Sequence, residues 1–414
     1  MRTSFTPAQL ADPATAVAEA AIRKCVHCGF CLATCPTYVL MGDELDSPRG
    51  RIYLMQDMLE NERAPSASVV KHIDRCLSCL SCMTTCPSGV NYQHLVDHAR
   101  AYIQANYRRP WRERLVRGLL AAVLPYPRRF RAALALARVV KPLSPLMGPL
   151  QPMLELAPDS LPPPASKASQ PGVKGRVLML QGCAEPVLAP QVRAATVRLL
   201  NRAGYEVVFA EGEGCCGGLV HHMGRRDDAL AAARRNVDAW SRHDVAAIVT
   251  ATSGCGVTLK DYGFLLRDDP AYAGRAAAVS ALATDISQFL DRIELPKGDG
   301  SLTVAYHGAC SLQHGQQVRD EPVRLLKAAG FTVRTPANAH LCCGSAGTYN
   351  LLQPEIAGEL GERKSASLDA LEADAIATGN IGCSVQIGRR AGTPVVHLVE
   401  LLDWATGGPK PPNL

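Results

Sequence analysis

No apolar run in this chain of 414 residues approaches the ~18 needed to cross a bilayer, and the stretch 119–124 is far too short. A helical membrane span is therefore excluded, which leaves a soluble or peripheral protein as the expectation. Residues 1–20 lack a basic segment followed by an apolar core, so no secretory leader is expected. A Gly-x-Gly-x-x-Gly turn opening a helix is also missing, because Gly212-Glu213-Gly214 runs into cysteines instead. No other flavin motif is recognisable. Hydride abstraction needs an acceptor such as flavin or nicotinamide, so the chain is not expected to oxidise a substrate alone. No nucleic-acid recognition motif accompanies its basic residues, and no nucleic-acid partner is expected.

Cysteine, in contrast, is abundant: there are sixteen. Eight fall into two copies of one pattern, Cys25-x2-Cys28-x2-Cys31-x3-Cys35-Pro36 and Cys76-x2-Cys79-x2-Cys82-x3-Cys86-Pro87. This is the run that ligates paired [4Fe–4S] clusters in bacterial ferredoxins, where the fourth cysteine serves the other cluster. One cluster is thus assigned to Cys25, Cys28, Cys31 and Cys86, and the second to Cys76, Cys79, Cys82 and Cys35. Zinc also uses Cys-x2-Cys pairs, but a third cysteine at the same spacing followed by x3-Cys-Pro is not its habit. A disulfide framework does not suit a large chain without a leader. Reduced cysteines at this density imply the cytoplasm, with a peripheral place on the inner face of the membrane as the further option.

The expected fold class is α + α/β: an α-helical ferredoxin domain with two [4Fe–4S] clusters, then a duplicated α/β domain with cysteine–cysteine–glycine loops. Residues 1–105 form the ferredoxin part, whose runs are separated by about fifty residues, room for intervening helices such as 52–61. Residues 106–172 form a basic amphipathic segment and a Pro-rich linker. Between Arg108 and Lys141 ten Lys/Arg face one acid, Glu113, so this segment carries +9 of a chain whose net charge is +6. With Trp111, Leu115, Leu119, Tyr126 and Phe130 among them, these residues read either as an interfacial helix at an anionic membrane or as a helical connector contacting a partner subunit. Residues 173–296 and 297–414 are two cysteine-rich α/β repeats, with strands expected at 176–180, 207–209, 246–250, 302–306, 332–334 and 375–378, and helices at 191–202 and 227–242.

The duplication shows in the other eight cysteines. Cys183, Cys215-Cys216-Gly217-Gly218 and Cys255 match Cys310, Cys342-Cys343-Gly344 and Cys383, with 32 residues from lone cysteine to pair in both copies. Each lone cysteine follows an expected strand. In a parallel sheet the carboxyl ends of strands share one edge, where ligands bind. These eight are candidate redox sites: a further cluster, a redox dithiol, a substrate contact or zinc. The competing reading is buried packing. His307 and His340 stand near the second set and His221-His222 follow the first; each is a candidate ligand or a hydrogen-bonded neighbour.

Two ferredoxin runs followed by two cysteine–cysteine–glycine repeats resemble the family shared by the iron–sulfur subunits of heterodisulfide reductase, anaerobic glycerol-3-phosphate dehydrogenase and glycolate oxidase. The stretches 42–51 (Gly-Asp-Glu-Leu-Asp-Ser-Pro-Arg-Gly-Arg), 86–90 (Cys-Pro-Ser-Gly-Val) and 340–349 (His-Leu-Cys-Cys-Gly-Ser-Ala-Gly-Thr-Tyr) most resemble the glycolate oxidase branch. The resemblance implies an oxidoreductase subunit that passes electrons from FAD-bearing dehydrogenase subunits, which oxidise glycolate to glyoxylate, to quinone or another acceptor. Lactate or glycerol-3-phosphate as the substrate would leave the same cysteines. Thr252 and Asn380 stand where the heterodisulfide branch has a further cysteine, which argues against thiol–disulfide reduction. A cluster-bearing redox sensor is the non-enzymatic alternative.

Overall fold

In a computed structural model that describes residues 1–164 and 173–414, every strand among the described residues lies from Gly175 onward. The segment 165–172 of the Pro-rich linker lies outside the described residues.

The N-terminal part is helical. Proline or a capping side chain opens its helices: Asp12 caps Pro13–Lys24, Ser47 caps Pro48–Glu60, Ser66 caps Ala67–Asp74 and Asn91 caps Tyr92–Asn106, each accepting from a backbone N–H of the first turn. Their apolar faces meet in one core around Ile22, Ile52, Met55, Ile73, Leu95 and Ile103. The helix expected at 52–61 begins four residues earlier, because Ser47 and Pro48 are a ready-made start.

The basic segment forms two helices, Trp111–Val123 and Pro127–Val140. Val116, Leu120 and Ala121 pack against Val220, Met223 and Ala229 of the first repeat. Buried Arg109 and Arg117 both pair with Asp74, at 2.6 and 2.9 Å. The segment therefore ties the ferredoxin part to the first repeat, and only some of its arginines are consumed in doing so. Its outer side keeps Trp111, Leu115, Leu119, Leu136 and Val139 exposed. No helix among the described residues is long and apolar enough to cross a membrane.

The C-terminal part has two four-stranded parallel sheets. The first is β1 (Gly175–Met179), β2 (Tyr205–Val208), β3 (Ala247–Thr250) and β4 (Ala283–Asp285), in spatial order β2-β1-β3-β4. The second is β5 (Thr303–His307), β6 (Thr332–Arg334), β7 (Ala375–Thr378) and β8 (Val395–His397), ordered β6-β5-β7-β8. The topologies are identical, as a duplication requires. The helices expected at 191–202 and 227–242 run Pro190–Arg202 and Arg226–Trp240. Strands β4 (Ala283–Asp285) and β8 (Val395–His397) were not expected.

The halves share one core. Val177, Met179 and Val249 belong to the same buried cluster as Val304, Tyr306 and Ala377. The helix Pro190–Arg202 packs on the helix Leu398–Ala405, where Arg198 and Arg202 both donate to the buried Asp403 carboxylate. The carboxyl ends of β3 and β7 also meet: Ser253 N–H donates to Gly379 C=O (3.2 Å), and the Ser253 and Ser311 hydroxyls bond at 2.7 Å.

Candidate metal centres

The eight ferredoxin-type cysteines line two adjoining cavities. One is lined by Cys25, Cys28, Cys31, Cys82 and Cys86. The other is lined by Cys35, Cys76, Cys79 and Cys82. The fourth cysteine of each run is thus turned toward the first cysteines of the other run. Local backbone does this. In both runs the residues just before and just after the second cysteine are left-handed: His27 and Gly29 in one (φ 55° and 87°), Ser78 and Leu80 in the other (φ 50° and 61°). Only one of the four is glycine. Three non-glycine residues in this region store strain, which persists where surrounding structure enforces it and collects at functional sites. The turns wrap the loop so that consecutive cysteines face one cavity. The x2 spacing announces the wrap, but nothing in the residue types at 27, 78 and 80 announces the backbone hand.

Burial pushes the Cys31 thiol up to about 11, and it raises Cys25, Cys79 and Cys82 as well, with neighbouring thiols adding to the effect. Thiols gathered in this way become thiolates only with positive charge among them, which a cluster's irons provide. The donor set and the spread of cysteines around each cavity fit a [4Fe–4S] group.

The stretch 42–51 now has a physical role. Arg51 and Asp46 are fully buried and pair at 3.2 Å. Asp46 also accepts from Arg75 (2.8 Å) and meets His72 Nδ1 (3.0 Å). Arg51 further donates to His72 C=O (2.6 Å) and Thr37 Oγ1 (3.0 Å), and its guanidinium comes within 3.9 Å of Cys35 Sγ. Gly50 fits because a Cβ there would sit 2.0 Å from the Glu44 carbonyl oxygen. The motif therefore fixes a buried cation against a cysteine of the second cavity.

Each repeat brings its four cysteines together at the carboxyl edge of its sheet. Cys183 and Cys215 touch at 3.5 Å, and Cys216 lies against both Cys215 and Cys255. Cys310 and Cys342 touch at 3.6 Å, and Cys343 lies against Cys342, Cys383 and His307. The glycine after each pair, Gly217 (φ 89°) or Gly344 (φ 87°), is left-handed and packed against a helix; a Cβ on Gly344 would meet the Ala357 carbonyl oxygen at 2.6 Å. The second repeat adjoins the ferredoxin part directly. Leu77 and Cys79 share a buried cluster with Cys342 and Tyr349, with Cys310 at its margin, and the Tyr349 hydroxyl donates to Arg75 C=O (3.0 Å).

The histidines divide. His307 faces the second thiol set. His340 is represented in the hydrogen-bond network by its carbonyl, which meets His314 Nε2 at 3.1 Å. His221 and His222 do not face the thiols: they meet the buried Asp97 of the helix Tyr92–Asn106 at 3.3 and 3.8 Å. His94 on that helix meets Asp261 of the first repeat at 2.8 Å and stacks on Phe264. Sequence reasoning missed this clasp because its partners lie more than a hundred residues apart.

The clasp has a signed pH dependence. Burial alone would raise Asp97, but His221 and His222 outweigh it and hold the carboxyl well below its usual range. Burial alone would lower His221, but Asp97 outweighs it and raises the imidazole. The Asp97 contribution is present above its unfolded value of about 4 and fades as pH falls below that. The His221 contribution is complete below about 6.5 and fades as pH rises through the raised value. Thermal unfolding should therefore fall by a few degrees between pH 6 and pH 9, and Asp97→Asn should flatten that arm. An unchanged slope in Asp97→Asn would remove the clasp from the account.

Residues 24–90 match the family model of a 4Fe-4S dicluster domain, and residues 177–260 and 304–388 each match that of a cysteine-rich domain. The glycolate oxidase iron–sulfur subunit of Escherichia coli (strain K12) is 41% identical over 98% of this chain and 99% of its own length. The probable glycolate oxidase iron–sulfur subunit of Bacillus subtilis (strain 168) is 32% identical over 94% of this chain and 95% of its own. Lactate utilization protein A of Geobacillus kaustophilus is 30% identical over 55% of this chain and 98% of its own length. A solved structure, that of a hypothetical protein from Helicobacter pylori, shares the fold with a TM-score of 0.58 at 9% identity, covering 96% of this chain and 73% of that one.

Proposed function

The chain belongs to the family of the glycolate oxidase iron–sulfur subunit, and from that premise we propose that it carries electrons out of a glycolate dehydrogenase complex whose other subunits bind FAD and oxidise glycolate to glyoxylate. The observation that carries this reading is the pair of cavities lined by cysteines of both runs. In the proposed assignment Cys25, Cys28, Cys31 and Cys86 hold one [4Fe–4S] cluster and Cys76, Cys79, Cys82 and Cys35 the other. When bound, such clusters supply one-electron chemistry at potentials set by charge, hydrogen bonds to sulfur and exposure. This chain's own residues set those terms. Arg51 places a buried cation by Cys35, and Ser78 N–H donates to Cys76 Sγ at 3.5 Å. Cys28 is exposed, which gives the first cavity an open side for electron entry from a partner.

The division into 1–105, 106–172, 173–296 and 297–414 is part of the same proposal, with the ferredoxin part as the carrier and the repeats as the body on which it is mounted. The acceptor is quinone, reached from the cytoplasmic face of the membrane. Support for a peripheral place comes from the outer side of the two basic helices, where Trp111, Leu115, Leu119, Leu136 and Val139 are exposed beside Arg108, Arg112, Arg128 and Arg129.

Reconstitution tests the reading. The isolated chain should leave glycolate untouched. Mixed with its flavin subunits, it should deliver electrons from glycolate to a quinone in anionic vesicles. The double variant Trp111→Ser, Leu115→Ser should slow that delivery while reduction of a soluble dye continues. Glycolate oxidation by the isolated chain, or dye reduction that does not need it, would contradict the proposal.

A further inference from the structure

Three residues, Pro48, Cys82 and Tyr92, line both ferredoxin cavities and so form the wall between them. Only Tyr92 brings a hydroxyl to that wall. The chain places it there by a short turn after the fourth cysteine of the second run. The backbone is left-handed at Gly89 (φ 63°), Asn91 caps the helix Tyr92–Asn106, and Tyr92 is the first residue of that helix. Its side chain is buried in the same core as Ile52, Val90 and Leu95. The position six residues after the fourth cysteine of the first run is Met41, which is exposed. The duplicated runs therefore supply this hydroxyl once.

Tyr92 is 3% exposed, and its hydroxyl has no hydrogen-bond partner among the described residues. A buried hydroxyl without a partner is costly and rare, so its surroundings call for an acceptor. The groups facing the phenol are Cys76, Arg51, Cys82 and Cys35. A guanidinium has donors only, and that of Arg51 is committed to His72 C=O, Thr37 Oγ1 and Asp46. The other three are sulfurs, and all three belong to the set assigned to the second cluster. A tyrosine keeps its proton at neutral pH, and burial raises this one further, so the group is a donor.

We infer that the Tyr92 hydroxyl donates a hydrogen bond to a sulfur of the second cluster and thereby raises that cluster's potential, leaving the first cluster without this donor. The reduced cluster carries more negative charge on its sulfurs, so a donor aimed at them stabilises the reduced form more than the oxidised one. The phenol keeps its proton and its electrons throughout; the electron moves between the clusters alone. This rests on the ligand assignment proposed above and adds to it a residue that sets one potential apart from the other.

Tyr92→Phe keeps the ring and deletes only the hydroxyl, so it should retain about eight irons per chain. In a potentiometric titration of the full chain followed by paramagnetic resonance, the reduced-to-oxidised ratio of the second cluster at fixed potential should fall about tenfold, which is about 59 mV for one electron. The first cluster should hold. The reduced second cluster should also lose one proton coupling that exchanges in D2O, while that of Ser78 N–H, which donates to Cys76 Sγ, persists as an internal control. Should Tyr92→Phe not assemble its clusters, a ring-fluorinated tyrosine installed at position 92, being a stronger donor, should move the second potential upward. Two reducible clusters whose potentials ignore both replacements, or shift equally, would overturn the inference and leave the ligand assignment standing. A wild-type chain without two reducible clusters would contradict the assignment itself, and this inference with it.

Discussion

Cys35→Ser should destroy the cluster of the second cysteine run and spare that of its own. Cys35 lines the cavity with Cys76 and Cys79, not the one with Cys25, Cys28 and Cys31. Iron should drop from about eight to about four per chain, and the surviving paramagnetic signal should be the one that Cys28→Ser removes. Cys86→Ser should do the reverse. If electrons pass through both clusters, as proposed, electron delivery from glycolate should fall to background even though half of the iron remains. If Cys35→Ser instead removed the same signal as Cys28→Ser, each run would hold its own cluster, and the crossed assignment would be wrong.

Arg51→Met should be the most damaging single change that touches no cysteine. The side chain is enclosed, and its removal strands the Asp46 carboxylate in the interior with Arg75 and His72 as its remaining partners. Breaking a buried pair by deleting one member costs about 3–5 kcal/mol, and the lower end applies here because Arg75 still reaches Asp46. Arg51→Lys should not rescue, since one ammonium cannot span His72 C=O, Thr37 Oγ1 and Asp46 in the way a planar fork does. A second readout separates tuning from mere stability. Loss of a cation beside Cys35 disfavours the reduced, more negative cluster, so the potential of the second cluster should move downward while that of the first holds. Equal shifts in both, or none, would reduce Arg51 to a structural role.

Much of this was legible in the sequence because the chemistry is carried by one residue type at fixed spacing. The cysteine runs announced two clusters, and the recurrence of lone cysteine, pair and last cysteine announced the duplicated sheet that the topology shows. Strands with apolar runs, such as 176–180 and 375–378, were found within a residue or two. Strands β4 and β8 were not, since Ala283-Thr284-Asp285 and Val395-Val396-His397 are held by the ladder next to them and not by their own pattern. Long-range charge pairing was equally silent. Nothing in Asp97 or in His221-His222 says that they meet, and the histidines looked like neighbours of the Cys215-Cys216 loop. His307 was visible as a histidine close to Cys310, but its burial against Cys343, with no hydrogen bond to either ring nitrogen among the described residues, is a property of the folded interior alone. The basic segment was read as a membrane-facing helix or a connector; its inner face is pinned by Asp74 within this chain, and its outer side is left apolar and cationic.

The most direct measurement is iron and acid-labile sulfide per chain after anaerobic purification. Two cubanes confined to the ferredoxin part predict about eight of each, reducible one electron at a time. Little or no iron, with zinc seated in Cys25–Cys86 instead, would contradict the electron-carrier account at its root.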